Sequence, residues 1–247
     1  MPETPMVETE SSRAADPAST DRQRLIMQRM PHGYTNDTTG DGVVVVKRYA
    51  GPGAEVRREL ERAVLGRLQG LLPVPPVLDG AEVTLGFVHG AHGQDLMDAG
   101  RATQVLHAGG RVLARIHELS PAEILPGSRA ESGEVLVHGD FGPNNLLFDP
   151  ETLEIAAVLD WEWAHSGHRI EDLAWCEWIV RMHHPEQVGA LGALFAGHGA
   201  RPAWAARHAA MLARCRQLID FCERWVPDGD GVAQWRSRAA VTKGWAE

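Results

Sequence analysis

The stretch "VLVHGDFGPNNLLFDPETLEIAAVLDWEWAH", Val135–His165, sets a histidine, carboxylates and asparagines between short aliphatic runs. Strand interiors favour apolar and β-branched side chains, so a segment built for stability alone has no need of polar groups at these strand ends. "VLV" predicts a short strand, and "HGDFGPNN" a loop whose residue types tolerate unusual backbone angles. "LLF" and "IAAVL" then form a hairpin turning at "DPETLE". In an antiparallel hairpin the start of the first strand lies beside the end of the second, which predicts that Asn145 and Asp160 are spatial neighbours. The loop delivers Asp140 to the same end. Three oxygen-bearing side chains there suit a hard cation such as Mg²⁺, which takes few protein ligands and completes its shell with water and phosphates.

Working outward, the 247 residues suffice for one large domain or two lobes sharing a core, and 44% hydrophobic with 23% charged is ordinary for a globular chain. A formal net charge of −9 argues against general binding to nucleic-acid backbones, which calls for a basic surface. The longest aliphatic runs, such as Val43 to Val46, fall far short of the roughly 20 residues of a membrane span. Cys176, Cys215 and Cys222 are odd in number with no paired metal-ligand spacing, and no signal pattern opens the chain, so a reducing cytoplasm is expected.

The first 23 residues are polar and aperiodic and read as a disordered leader. Residues 24–88 read as mostly strands with one helix: "LIMQRM", "VVVVKRY", a helix from about Ala54 to Leu68, the proline-rich connector "LLPVPPVL", and "AEVTLGFV". Residues 89–247 are mostly helical, with amphipathic patterns in "ATQVLHAGGRVLARIHEL", "EDLAWCEWIVRM" and "RHAAMLARCRQLIDFCERW". His117, on the first of these, reads as a packed or hydrogen-bonded core histidine. The layout is α+β: a small sheet-rich lobe followed by a larger helical one.

His138, Asp140 and Asn145 match the His-x-Asp-x-x-x-x-Asn loop of the protein-kinase-like superfamily, and "HGDFGPNNLLFD…AAVLDWEWA" resembles its aminoglycoside phosphotransferase and choline kinase branch. The resemblance implies that Asp140 orients the acceptor hydroxyl or takes its proton, that His138 supports the loop, and that Asn145 and Asp160 hold Mg²⁺ on the phosphates of ATP or GTP. It also implies a strand lysine on those phosphates, braced by a helix glutamate. Of 24 basic residues only Lys47 and Lys243 are lysines, and Lys47 ends the run "VVVVK". Glu59 and Glu61 compete as its partner; Glu61 is preferred because Leu65 and Leu68 follow it at helical spacing.

"HGYTN" resembles the branch's phosphate-covering turn, with Gly33 and Asn36 as cofactor-binding positions, although only ten residues separate Asn36 from Lys47. "GFVHG" is the expected connector between lobes. His168 stands where the family often has an acid, and Asp172 matches a later aspartate that supports the loop. Glu162, Glu171 and Glu177 read either as groups facing a cationic acceptor or, with preference, as solvated helix charges. Trp161, Trp163, Trp175 and Trp178 read mostly as core, with an acceptor pocket as the other reading.

The function expected is transfer of the γ-phosphate to a hydroxyl of a small acceptor such as an aminoglycoside, amino sugar or amino alcohol. Two rivals are a metal-dependent hydrolase on His138, Asp140 and Asp160, and a non-catalytic nucleotide-binding protein of the same fold.

Overall fold

The computed structural model describes residues 27–30, 36–78, 80, 82–129 and 131–247. The expected leader, residues 1–23, and Gly33 lie outside the described residues.

The first sheet comprises β1 (Gln28–Arg29), β2 (Asp37–Gly40), β3 (Val44–Arg48), β4 (Val77–Leu78) and β5 (Val83–Gly86) in the antiparallel order β1-β2-β3-β5-β4. Strand β3 is the β-branched run of the sequence, and its central place follows from that composition. Its register sets Lys47 opposite Thr38 on one side and Val83 on the other. Helix α1 (Ala54–Leu68) buries Arg57, Glu61, Val64, Leu65 and Leu68, a stripe at three- and four-residue spacing. One buried helix face thus carries both apolar packing and two charges.

The proline-rich connector joins this sheet to the hairpin. Gly86 N–H donates to Pro76 O at 2.8 Å, and Val158 N–H donates to Pro73 O at 2.8 Å. A second sheet, β6 (Ala91–His92), β8 (Leu146–Phe148) and β9 (Ile155–Val158), has the order β6-β8-β9; β7 (Val135–Val137) pairs with β10 (His165–Gly167). The hairpin expected from "LLF" and "IAAVL" is β8–β9, with Leu146 opposite Val158.

Short helices α2 (Gly93–Leu96) and α4 (Pro121–Ile124) flank α3 (Ala102–Ile116), and the C-terminal part adds α5 (Ile170–His183), α6 (Leu191–His198), α7 (Trp204–Trp225) and α8 (Asp230–Lys243). Helices α3 and α6 meet at glycines: a Cβ on Gly110 would lie 2.2 Å from Leu194 O, and one on Gly197 2.2 Å from His107 O. Only glycine permits that approach. One apolar core runs from α1 and the first sheet through α3 to the hairpin, and a second, rich in tryptophan, joins α5, α7 and α8. No helix among the described residues is long and apolar enough to cross a membrane.

Candidate functional site

The loop after β7 is held from below by a buried carboxylate. Asp172, in the first turn of α5, accepts hydrogen bonds from His138 N–H (Oδ2, 2.8 Å) and Gly139 N–H (Oδ1, 2.9 Å). Gly139 has φ 83°, and a Cβ there would meet Trp163 O at 2.4 Å, so this position demands glycine. His138 donates from Nε2 to Leu159 O (2.9 Å) and accepts Asp140 N–H at Nδ1 (3.2 Å). Both ring nitrogens are committed to backbone, which leaves no lone pair for a metal and removes the basis of the hydrolase reading.

Asp140 follows, with each oxygen addressed by one donor: Trp175 Nε1–H reaches Oδ1 at 2.7 Å and Asn145 Nδ2 reaches Oδ2 at 3.0 Å. Burial, reinforced by the charge of Asp160, pushes the Asp140 carboxyl above its ordinary value; the Trp175 bond and the Arg214 and His138 charges oppose that rise. The contacts from Trp175 and Arg214 were not foreseen. Arg214 lies 74 positions beyond Asp140 and no local pattern connects them.

At the open end of the hairpin, Leu159 N–H donates to Asn145 O at 2.9 Å, bringing Asn145 and Asp160 together as the pairing rule requires. Asp160 has φ 67°, the left-handed region that aspartate enters more readily than most residues. Its Oδ1 lies 2.6 Å from Lys47 Nζ, which is also 2.6 Å from Glu61 Oε2. Glu61 is fully buried; its second oxygen accepts Trp161 N–H at 3.2 Å, and Tyr49 OH donates to the first. Glu59 instead faces outward against Arg58, so Glu61 is the glutamate that meets Lys47. Burial alone would depress the Lys47 ammonium, but Asp160 and Glu61 outweigh it and hold its pKa well above the usual value. Lys47 pulls Asp160 down in turn, against the effect of burial.

Three expectations change. Glu162 and Glu177 are buried rather than solvated: Glu162 pairs with Arg57, and Glu177 with Arg181 (2.9 Å) and Arg207 (2.6 Å). Glu171 is partly exposed, but it bonds His165 Nε2 at 3.0 Å and His168 N–H at 2.8 Å. Asn36 turns its amide onto Glu162 Oε1 at 3.0 Å instead of lining the cleft. Burial, then the charge of Asp160, pushes the Glu162 carboxyl up to about 7. The available signal was Arg57, one turn before Glu61 on the same face of α1.

Beneath the loop the chain of bonds continues. His117 Nε2 lies 3.0 Å from Asp172 Oδ2, and His117 Nδ1 lies 3.0 Å from His198 Nε2. His117 is thus the hydrogen-bonded core histidine expected. The carboxylate can only accept, so the proton of its bond to His117 sits on Nε2. Burial, with the charges of His117 and Arg169, lowers His198 to about 4. The unfolded chain therefore binds this proton near pH 6.5 and the folded chain only near pH 4, so the stability from a neutral His198 is present above pH 6.5 and lost as pH falls through that window. The full shift would correspond to about 3.4 kcal/mol, and screening by solvent around the partly buried ring reduces the expected loss to about 2–3 kcal/mol. Urea unfolding at stepped pH checks it, and His198→Gln should flatten that part of the profile.

Lys47, Glu61, Asn145 and Asp160 line one cleft of about 270 Å³, walled by Val45, Leu85 and Leu147 and by the connector residues Gly86–Val88. Asn145 spends its amide nitrogen on Asp140 (2.8 Å to O and 3.0 Å to Oδ2), which leaves its side-chain carbonyl as the oxygen it can offer in the cleft it lines together with Asp160. Two hard oxygen donors at one end of a cleft fit Mg²⁺.

Residues 122–210 match the sequence profile of the phosphotransferase enzyme family, about a third of the chain. The matched range contains the loop, the hairpin and α5. Among solved structures, the fold is similar to the GDP complex of aminoglycoside 2'-phosphotransferase-IIIa (TM-score 0.70, 12% identity, 90% of this chain and 94% of that one). It is also similar to the gentamicin complex of APH(2")-IIa (TM-score 0.66, 12% identity, 87% and 91%). The fold is that of the aminoglycoside phosphotransferases. A third structure with this phosphotransferase fold is APH(3'')-Id from Streptomyces rimosus in complex with ADP and streptomycin (TM-score 0.62, 18% identity, 77% and 92%).

Curated relatives match over shorter stretches: acyl-CoA dehydrogenase family member 11 of Mus musculus is 50% identical over 45 residues, and that of Homo sapiens 46% over 44. Each stretch is 18% of this chain and 6% of the relative's length. In the phosphotransferase fold both sets of groups meet: the cation and carboxylates from the first sheet and α1, and the loop and hairpin from the profile-matched segment.

Proposed function

We propose that this protein is a small-molecule kinase that moves the γ-phosphate of ATP or GTP to a hydroxyl of a small acceptor, in a cytoplasmic setting. The observation that carries the reading is Lys47, buried and 2.6 Å from both Glu61 and Asp160, in the same cleft as Asn145. A lysine so placed neutralises phosphate charge, while Glu61 fixes the ammonium and keeps it protonated. Nucleotide complexes of proteins with the same fold, holding GDP or ADP, support a purine nucleotide as donor. The nucleotide would lie between a first lobe of residues 24–88 and a second of residues 89–247.

In this reading Asn145 and Asp160 hold Mg²⁺, which when bound neutralises charge on the transferring phosphates. Asp140 aligns the acceptor hydroxyl and receives its proton, and its raised pKa suits that task. Asp172 and His138 keep the loop in register. Catalysis is then positioning and charge stabilisation, with little covalent chemistry for the protein itself.

The test is titration of the full chain with Mg·ATP and Mg·GTP, followed by tryptophan fluorescence. Saturable binding that Lys47→Ala weakens by about tenfold or more is expected. Absence of binding by either nucleotide would reject the reading.

A further inference from the structure

A second cavity, of about 150 Å³, lies on the helical side of the catalytic loop. Its lining includes Gly139, His165, Glu171, Trp175, Arg214 and Gln217. Trp175 joins it to the reaction centre, since the indole that forms part of the wall is the one bonded to Asp140. The volume falls below the roughly 300–1,000 Å³ of pockets that enclose drug-sized ligands.

The cavity's charges run opposite to what a polyamine acceptor needs. Its one carboxylate among the described lining residues, Glu171, is spent on His165 and on the His168 N–H. Arg214 is differently placed. It lies 5.4 Å from the Trp163 ring centroid and 5.6 Å from that of Trp175. One Nη donates to Gly139 O at 2.9 Å and the other to Gln217 Oε1 at 3.2 Å, while Nε is buried with no acceptor. Burial pulls the Arg214 pKa down, against the charges of Asp140 and Asp172. No side-chain carboxylate forms a hydrogen bond or ion pair with this guanidinium among the described residues. Arg214 is half-buried, and a cation with a buried, unused donor is costly and is relieved by an anion that hydrogen-bonds to it.

We infer that this cavity anchors the acceptor and that Arg214 binds its anionic group, so that the acceptor is a short hydroxycarboxylate rather than a polycationic amino sugar. The inference rests on the kinase reading and narrows it. Arg214 bonds the carbonyl of Gly139, the residue before Asp140, so carboxylate and reacting hydroxyl must be separated by only a short carbon chain. The hydroxyl oxygen forms a bond to the γ-phosphorus as the bond from that phosphorus to the β,γ-bridging oxygen breaks; its proton passes to Asp140, and the nucleoside diphosphate leaves.

The experiment measures phosphorylation by full-length protein with Mg·ATP of glycolate, lactate and glycerate, beside ethylene glycol, propylene glycol, glycerol and kanamycin. Expected is turnover of at least one hydroxy acid with kcat/KM about 100-fold above its neutral polyol counterpart, because the neutral alcohol leaves Arg214 unpaired. Arg214→Gln should raise KM for the acid about tenfold or more with nucleotide affinity unchanged, and Arg214→Lys should restore part of the loss. Because the variant could fold poorly, the acid-to-diol ratio in the wild type is decisive without it. Tryptophan quenching by the hydroxy acids but not the diols, without nucleotide, tests the anion site apart from catalysis. Equal use of acid and diol, preference for kanamycin, or nucleotide binding with no hydroxy-acid turnover each overturns the inference. Absence of nucleotide binding overturns the kinase reading, and quenching then decides the anion site alone.

Discussion

Asp140→Ala is expected to lower kcat by about 10²–10⁴-fold while leaving Mg·ATP affinity within about threefold of wild type. The asymmetry follows from where the carboxylate sits. Asp140 is not among the described residues that line the cleft of Lys47; one of its oxygens is held by Trp175, in the wall of the second cavity, and the other by Asn145, at the edge of the cleft. Removing it deletes the group proposed to align the hydroxyl but leaves Lys47, Glu61 and Asp160 in place. Asp140→Asn separates two contributions, because the amide can still accept from Trp175 yet cannot take a proton. If alignment dominates, Asn should recover much of the loss; if proton transfer dominates, Asn and Ala should be alike. Full turnover by Asp140→Ala at unchanged KM would remove the proposed mechanism.

The parts of the fold legible in the sequence are those where one local rule acts alone. The helix expected from Ala54 to Leu68 has those bounds because its periodicity and its Gly-Pro-Gly start agree. The β8–β9 hairpin was readable from two aliphatic runs and a turn, and with it the meeting of Asn145 and Asp160. Strand β10 was not, because "HSG" has no strand propensity and exists through its pairing with β7. Helix α8 went unread for a related reason: its only buried residues are Val232 and Thr242, too few to mark a face.

Within the site, Lys47 stood out because the chain has only two lysines, and Glu61 because leucines follow it. The surrounding charges were hidden. Glu162 and Glu177 look like surface residues in a one-dimensional reading, and only tertiary packing supplies Arg57 and Arg207 to neutralise them. The same holds for Arg214, whose helix gives no hint that one of its many arginines turns inward to Gly139.

The second large effect is expected from Asp160→Ala: a fall in Mg·ATP affinity of about 100-fold, with loss of detectable turnover. Asp160 does two things at once. It is one of the two hard oxygen donors at the end of the cleft, and its Oδ1 holds Lys47 from the side opposite Glu61. Taking it away leaves Lys47 paired with Glu61 alone, a geometry that draws the ammonium back from the phosphates. Asp160→Asn should keep the contact to Lys47 through its carbonyl and lose mainly the metal's charge partner, so its affinity should lie between those of wild type and Ala. Chelating Mg²⁺ gives the independent check. In the wild type, chelation should weaken nucleotide binding by about as much as the alanine substitution does, and in Asp160→Ala it should add little, because two perturbations of one interaction are not additive. Additive losses would mean that the metal is held elsewhere and that Asp160 acts only through Lys47.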